Sequence, residues 1–161
     1  MTISIEIIDA SLLQVTKNLP MRPITIDGKP YVERYYVGSN PRGEQTWLHR
    51  FLNADGDRNF HSHPWYADSM IVCGGYWENS TFIGELHKHN SRRFEAGDVN
   101  MINPNTLHKI DRIDAMTWTI IQVKPHWGTW YFINDEGETK EMGKSHDENW
   151  WKDYSCRVDK P

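Results

Sequence analysis

His61-Ser62-His63 spaces two imidazoles two residues apart. On a β-strand, residues i and i+2 face the same side, so the pair can aim two ring nitrogens at one point. A divalent transition metal wants such converging neutral nitrogens, completed by a carboxylate or a third histidine from elsewhere. Two residues offer to complete the set. Asp68 follows soon after, but Pro64-Trp65-Tyr66 interrupts the strand, so alternation does not fix its side. His108 comes much later, behind the segment Gly97-Asp98-Val99-Asn100-Met101-Ile102-Asn103-Pro104, which reads as a strand and a proline turn. His61, His63, Asp68 and His108 are the residues of these segments whose types suit metal ligation.

Other histidines and charges admit two readings each. Glu85, His87 and His89 also alternate, but their neighbours Lys88, Asn90, Ser91, Arg92 and Arg93 are those of a solvated hairpin. His49 shares a strand face with Trp47 and Phe51. It either lines an interior beside the metal or is a core histidine with its hydrogen bond satisfied. Arg50 and Glu78 are charges able to orient a substrate or support a ligand, or else ordinary strand-face charges. His49 and Arg50 are the candidate catalytic residues. His126 and His146 stand in aromatic loop contexts that suit the surface.

The elements that must position these residues are short. Asp27-Gly28, Asn40-Pro41-Arg42-Gly43, Asp55-Gly56-Asp57, Gly74-Gly75, Ala96-Gly97-Asp98, Asn103-Pro104-Asn105 and Glu136-Gly137 are turn signals, and the intervals between them suit strands. Strands are expected at Tyr31–Val37, Thr46–Leu52, Ser69–Cys73, Tyr76–Ile83, Asp98–Ile102, Thr117–Val123 and Trp130–Ile133. Two short helices are expected at the ends. One spans Ser11–Asn18, and the other follows the capping box Ser145–Glu148, whose serine and glutamate satisfy orphan amides reciprocally. The fold class is all-β.

At the histidine segments the chain resembles the cupin superfamily. That family's first motif runs glycine, five residues, His-x-His, three or four residues, glutamate, six residues, glycine. Here Gly56, His61, His63, Asp68 and Gly75 stand in those places, with four residues between Gly56 and His61. The second motif runs glycine, five residues, Pro-x-Gly, two residues, histidine. Gly97, Pro104 and His108 stand in those places, but six residues separate Gly97 from Pro104, the second glycine is missing and His108 arrives one residue early; Asn105 is the residue there able to take a left-handed conformation. Leu48–Asp55, His61–Trp65 and Gly74–Glu78 further resemble a narrower group of small cupin-like proteins, many from bacteria and their phages. The resemblance covers about residues 31–135. It implies a double-stranded β-helix, the jelly-roll barrel, making one cupin domain of residues 1–161 with extensions at 1–30 and 136–161. It also implies one divalent metal held by three histidines, or by these and the shorter-armed Asp68.

Composition narrows the function classes. At 161 residues the chain suits one domain, and its 38% hydrophobic content is low. Eight Trp, seven Tyr and five Phe compensate, since each buries a large area. With 18 Lys+Arg against 22 Asp+Glu and no basic block, a reader of nucleic-acid backbone is disfavoured. No apolar run is long enough to cross a bilayer. Two cysteines, Cys73 and Cys156, make no disulfide framework, which fits a reducing cytoplasm; the resemblance implies the cytoplasm of a bacterium or a phage-infected host. Cys73 lies in an apolar run and reads as a buried structural thiol.

The expected function follows from the metal and the resemblance. An open Fe(II) site favours dioxygenase chemistry on a small molecule in the barrel. Zinc, manganese or nickel would also suit imidazole, and Lewis-acid isomerase or lyase chemistry is the neighbouring expectation. The alternative is a non-catalytic module that binds a metabolite, a nucleotide or a protein. Cupins commonly pair through sheet edges, so a homodimer is expected, with Tyr31–Val37 as the edge.

Overall fold

The alternating stretches between turn signals become strands, and they pair into two antiparallel sheets. The computed structural model describes residues 3–26, 28–56, 59–85, 88–125, 129–133 and 139–142, the last four by backbone alone. A helix α1 (Ile5–Thr16) opens the chain. Then come β1 (Met21–Ile26), β2 (Lys29–Ser39), β3 (Gln45–Phe51), β4 (Ala67–Cys73), β5 (Gly75–Phe82) and β6 (Asn90–Glu95). The series ends with β7 (Val99–Ile102), β8 (Thr106–Ile113), β9 (Trp118–Val123), β10 (Trp130–Ile133) and β11 (Thr139–Met142).

The larger sheet has the order β1-β2-β3-β9-β4-β7, and a three-stranded sheet has the order β6-β5-β8. His61 extends the smaller sheet. It bridges His108 of β8 on one side and Phe132 of β10 on the other, which brings in the β10–β11 pair. The chain passes between sheets at Gly74-Gly75. Gly74 has φ +68°, and a Cβ there would stand 2.8 Å from Thr117 Cα, so this crossing requires glycine.

Both faces of the larger sheet are covered. Ile5, Ile8 and Leu12 repeat at helical spacing along α1 and pack on the outer face, over Tyr35, Leu48, Cys73 and Trp118. Asp9, on the same helix, accepts a hydrogen bond from Trp118 Nε1 at 2.7 Å and pairs with Arg50 at 3.1 Å. On the inner face lie two apolar clusters, Tyr36–Trp47–Ala67–Ile121–Val123 and Ile71–Tyr76–Phe94–Ile110. Each fully buried large side chain contributes about 1.5–3 kcal/mol.

Several expectations change. The N-terminal helix spans Ile5–Thr16 rather than Ser11–Asn18, because Ile5, Ile8 and Leu12 have an apolar sheet face to cover. Before residue 31, α1 packs on the larger sheet and β1 pairs with β2. Tyr31–Val37 is not a sheet edge, since β2 lies between β1 and β3. Strands β1, β6, β8 and β11 were not among those expected. Asn105 does not take the left-handed conformation, which Met116 alone adopts among the described non-glycine residues. Instead Asn103 makes the turn: its Oδ1 accepts from Asn105 N at 2.9 Å and its carbonyl from Thr106 N at 2.9 Å. The Ser145–Glu148 capping box, Cys156, His87, His126 and His146 lie outside the described residues.

Candidate metal centre

Three imidazoles converge between the sheets. His61, His63 and His108 each bring one ring nitrogen into a group whose members lie within 4.8 Å of one another. The backbone brings them there. His61 N donates to His108 O at 3.1 Å, and His108 N donates back to His61 O at 2.9 Å. This reciprocal pair fixes the two residues side by side. Ser62, fully buried, turns the other way. Its N donates to Tyr131 O at 2.9 Å, and its Oγ accepts from Tyr131 N at 3.0 Å. Ser62 thereby anchors the segment to β10 while its two neighbours face inward.

His108 is oriented by a carboxylate. Its Nδ1 lies 2.7 Å from Glu78 Oε2, and Asn100 Nδ2 donates to the same oxygen at 2.8 Å. Asn100 Nδ2 also donates to Tyr76 Oη at 3.1 Å. Burial, and then the Glu78 charge, push the Tyr76 phenol up, so it stays protonated. With Nδ1–H donated to Glu78, the lone pair of His108 is on Nε2, the nitrogen that could bind a metal. The walls are aromatic. Trp65 stacks on His63 at 4.3 Å, and Phe132 stacks on His61 at 5.5 Å. Three neutral nitrogen donors, one backed by a carboxylate, fit a divalent transition metal.

The other expected site residues divide. Asp68 stays outside this group: along β4 it is exposed between buried Ala67 and Ser69, so alternation turns it to the outer face. Arg50 is likewise on the outer face, held by Asp9 and by Glu33 at 3.6 Å, where it fastens α1 to the sheet. His49, its neighbour in β3, faces inward and accepts a hydrogen bond from Arg34 Nε at 3.2 Å. His89 and Glu85 are exposed, and His89 stacks on Phe60. Cys73 is buried, and burial raises its thiol, as befits a structural residue. An open groove of about 890 Å3 lies elsewhere, lined by Arg50, Trp77, Arg93 and Asp114 among others, and no triad residue borders it.

Sequence reasoning missed Ser62, Asn100 and Arg34. The signal for Asn100 was inverted, because Val99 and Met101 are exposed while Asn100 between them is buried.

No family model matches the chain, and no curated protein matches it in sequence. Solved structures do. HppE with Fe(II) and the alternative substrate (S)-1-HPP superposes with a TM-score of 0.54 at 10% identity, over 68% of this chain and 57% of that one. Streptomyces albus HEPD, with 2-hydroxyethylphosphonate and Fe(II), gives 0.52 at 12% identity, over 66% of this chain and 24% of that one. The capsular polysaccharide assembling protein CapF from Staphylococcus aureus gives 0.52 at 13% identity, over 75% and 34%. The fold is a cupin fold. In each comparison this chain spans less than two thirds of the other protein. Among the described residues, no helix is long and apolar enough to cross a membrane.

Proposed function

We propose that this cupin is a metal-dependent enzyme that uses one Fe(II), held by His61, His63 and His108, to oxidise a small molecule with dioxygen. The observation that carries the reading is the triad itself, three ring nitrogens within 4.8 Å with His108 clamped by Glu78. Fe(II) in two of the superposing structures supports the choice of metal. When bound, the ion supplies Lewis acidity and one-electron redox chemistry, with coordination positions beyond the three imidazoles.

The chain's own residues have definite tasks. Glu78 accepts a hydrogen bond from His108 Nδ1–H and keeps that ring in the metal-binding tautomer. Asn100 fixes Glu78, and Ser62 holds the His61–His63 segment against β10. Trp65 and Phe132 cover the two remaining rings and keep bulk water from their faces. Isomerase or lyase chemistry is the other reaction class open to this donor set.

The test begins with anaerobic titration of Fe(II) into the metal-free full chain. One equivalent should be retained, and His63→Ala and His108→Ala should each lose it while keeping the β-sheet circular dichroism. The loaded protein is then offered small organic acids and alcohols under oxygen, with uptake and products followed together. Oxygen uptake coupled to product supports the oxidase reading, and conversion without uptake moves it to isomerase or lyase. Ligand retained chemically unchanged makes the protein a binding module. Failure to retain any metal overturns the proposal.

A further inference from the structure

Arg34, His49 and Thr119 are register partners on three adjacent strands: Arg34 of β2 pairs with His49 of β3, and His49 with Thr119 of β9. They form one polar row across the inner face of the larger sheet. The rows beside it are apolar, with Tyr36, Trp47 and Ile121 on one side and Val32 and Phe51 on the other. Polar groups in such surroundings cost stability unless they find partners.

This row is short of acceptors. Arg34 spends Nε on His49 and lies over the Trp47 ring at 4.8 Å, and no carboxylate pairs with it among the described residues. Its two terminal nitrogens stay available. Burial, and then Arg22, pull the guanidinium down to about 10, which leaves it a cation at neutral pH. His49 accepts through Nε2, so its proton is on Nδ1, another donor. Thr119 is 1% exposed, and its hydroxyl has no hydrogen bond among the described residues. The row therefore offers donors and one uncompensated positive charge, the complement of an oxyanion.

The row and the histidine triad share one interior. Trp47, under Arg34, belongs to the cluster against which Trp65 packs, and Trp65 stacks on His63. On the other side, His49 touches Phe51, and Phe51 touches Tyr76, whose phenol shares Asn100 with Glu78.

We infer that Arg34, aided by His49 and Thr119, binds the acid group of the substrate, which is a small organic oxyanion. The inference rests on the metal-enzyme reading for its reaction, whereas anion binding itself needs no metal. A guanidinium fork grips two oxygens of a carboxylate or of a phosphoryl group equally well, so the probes must separate the two.

Acetate, inorganic phosphate and methylphosphonate are titrated into the metal-free full chain at constant ionic strength, followed by thermal shift and calorimetry. At least one should give a saturable rise in Tm. Arg34→Lys, which keeps the charge but loses the fork, should bind that probe about tenfold more weakly. Arg34→Met should abolish the effect while folding at least as stably without anion, because the unpaired buried charge is gone. Thr119→Val should weaken binding several-fold without lowering stability. Saturation by acetate alone assigns a carboxylate substrate, by the phosphorus probes alone a phosphoryl one, and by all three an oxyanion of either kind. Each of these supports the inference. No saturable shift with any probe, or one that Arg34→Met retains, overturns it. Fe(II) retention is measured on the same proteins. Metal retained without anion binding defeats this inference alone, whereas anion binding without metal retention defeats the metal reading alone.

Discussion

Glu78 Oε2 lies 2.7 Å from His108 Nδ1, although the two are not register partners. Glu78 pairs with Ile110 and His108 with Ser80, so the contact runs diagonally across β5 and β8. Diagonal neighbours on one sheet face are within reach of long side chains. The glutamate thus supports the histidine triad from the adjacent strand.

Glu78→Gln tests that support. The amide is nearly isosteric but carries no charge, so His108 loses its anionic partner. Metal affinity should fall roughly 10–100-fold, as for other carboxylates behind histidine ligands. Competition against a calibrated chelator measures it, with thermal stability checked in parallel. Unchanged affinity would make Glu78 a structural residue only.

His49 should leave a mark on acid stability. Burial, and then Arg34, hold it well below the ordinary histidine value of 6.5, so the folded protein keeps it neutral. Below that pH the unfolded chain takes up a proton that the folded chain refuses. Stability therefore falls as pH falls, by up to about 1.4 kcal/mol per pH unit from this group, and the contribution vanishes above the ordinary value. Urea unfolding of wild type and His49→Gln between pH 7.5 and 5 (roughly one unit above to 1.5 below the ordinary value) should show the shallower acid slope in the variant. Parallel slopes would mean that His49 charges freely.

Asp9 separates stability from chemistry. Asp9→Ala leaves the buried Trp118 Nε1–H and the Arg50 guanidinium without their shared acceptor. The loss should be about 2–4 kcal/mol, read by denaturant unfolding. Fe(II) retention should be unaffected, because this contact lies on the outer face of the sheet, under α1.

Gly74→Ala probes the crossing between the sheets. A methyl group at positive φ, pressed against the Thr117 backbone, should cost at least about 2 kcal/mol. Gly84→Ala is the control: φ is +93° there but nothing lies within 4 Å of the added carbon, so only the smaller backbone cost applies. Equal losses would show that packing at Gly74 is unimportant.

Much of this was legible in the chain. Turn signals and period-two runs located seven of the strands, and the His-x-His spacing marked His61 and His63 as a pair. Local pattern failed where the deciding partner was remote. Val99-Asn100-Met101 reads as apolar residues around a polar one, yet Asn100 is the buried member because Tyr76 and Glu78 await its amide. Ser11–Asn18 looked like an isolated helical turn, yet the helix begins at Ile5 because the sheet's second face needs cover.

By itself, then, the sequence determined the all-β class, through turn signals and period-two runs, and the pairing of two imidazoles, through their spacing of two residues. Only the tertiary structure decided that His108 and not Asp68 joins them, that His49 faces inward while Arg50 holds the helix, and that Glu78 stands behind the third ring. Alternation says which neighbours share a side. Which side becomes the interior depends on what packs against it, and those partners come from strands far away in the chain.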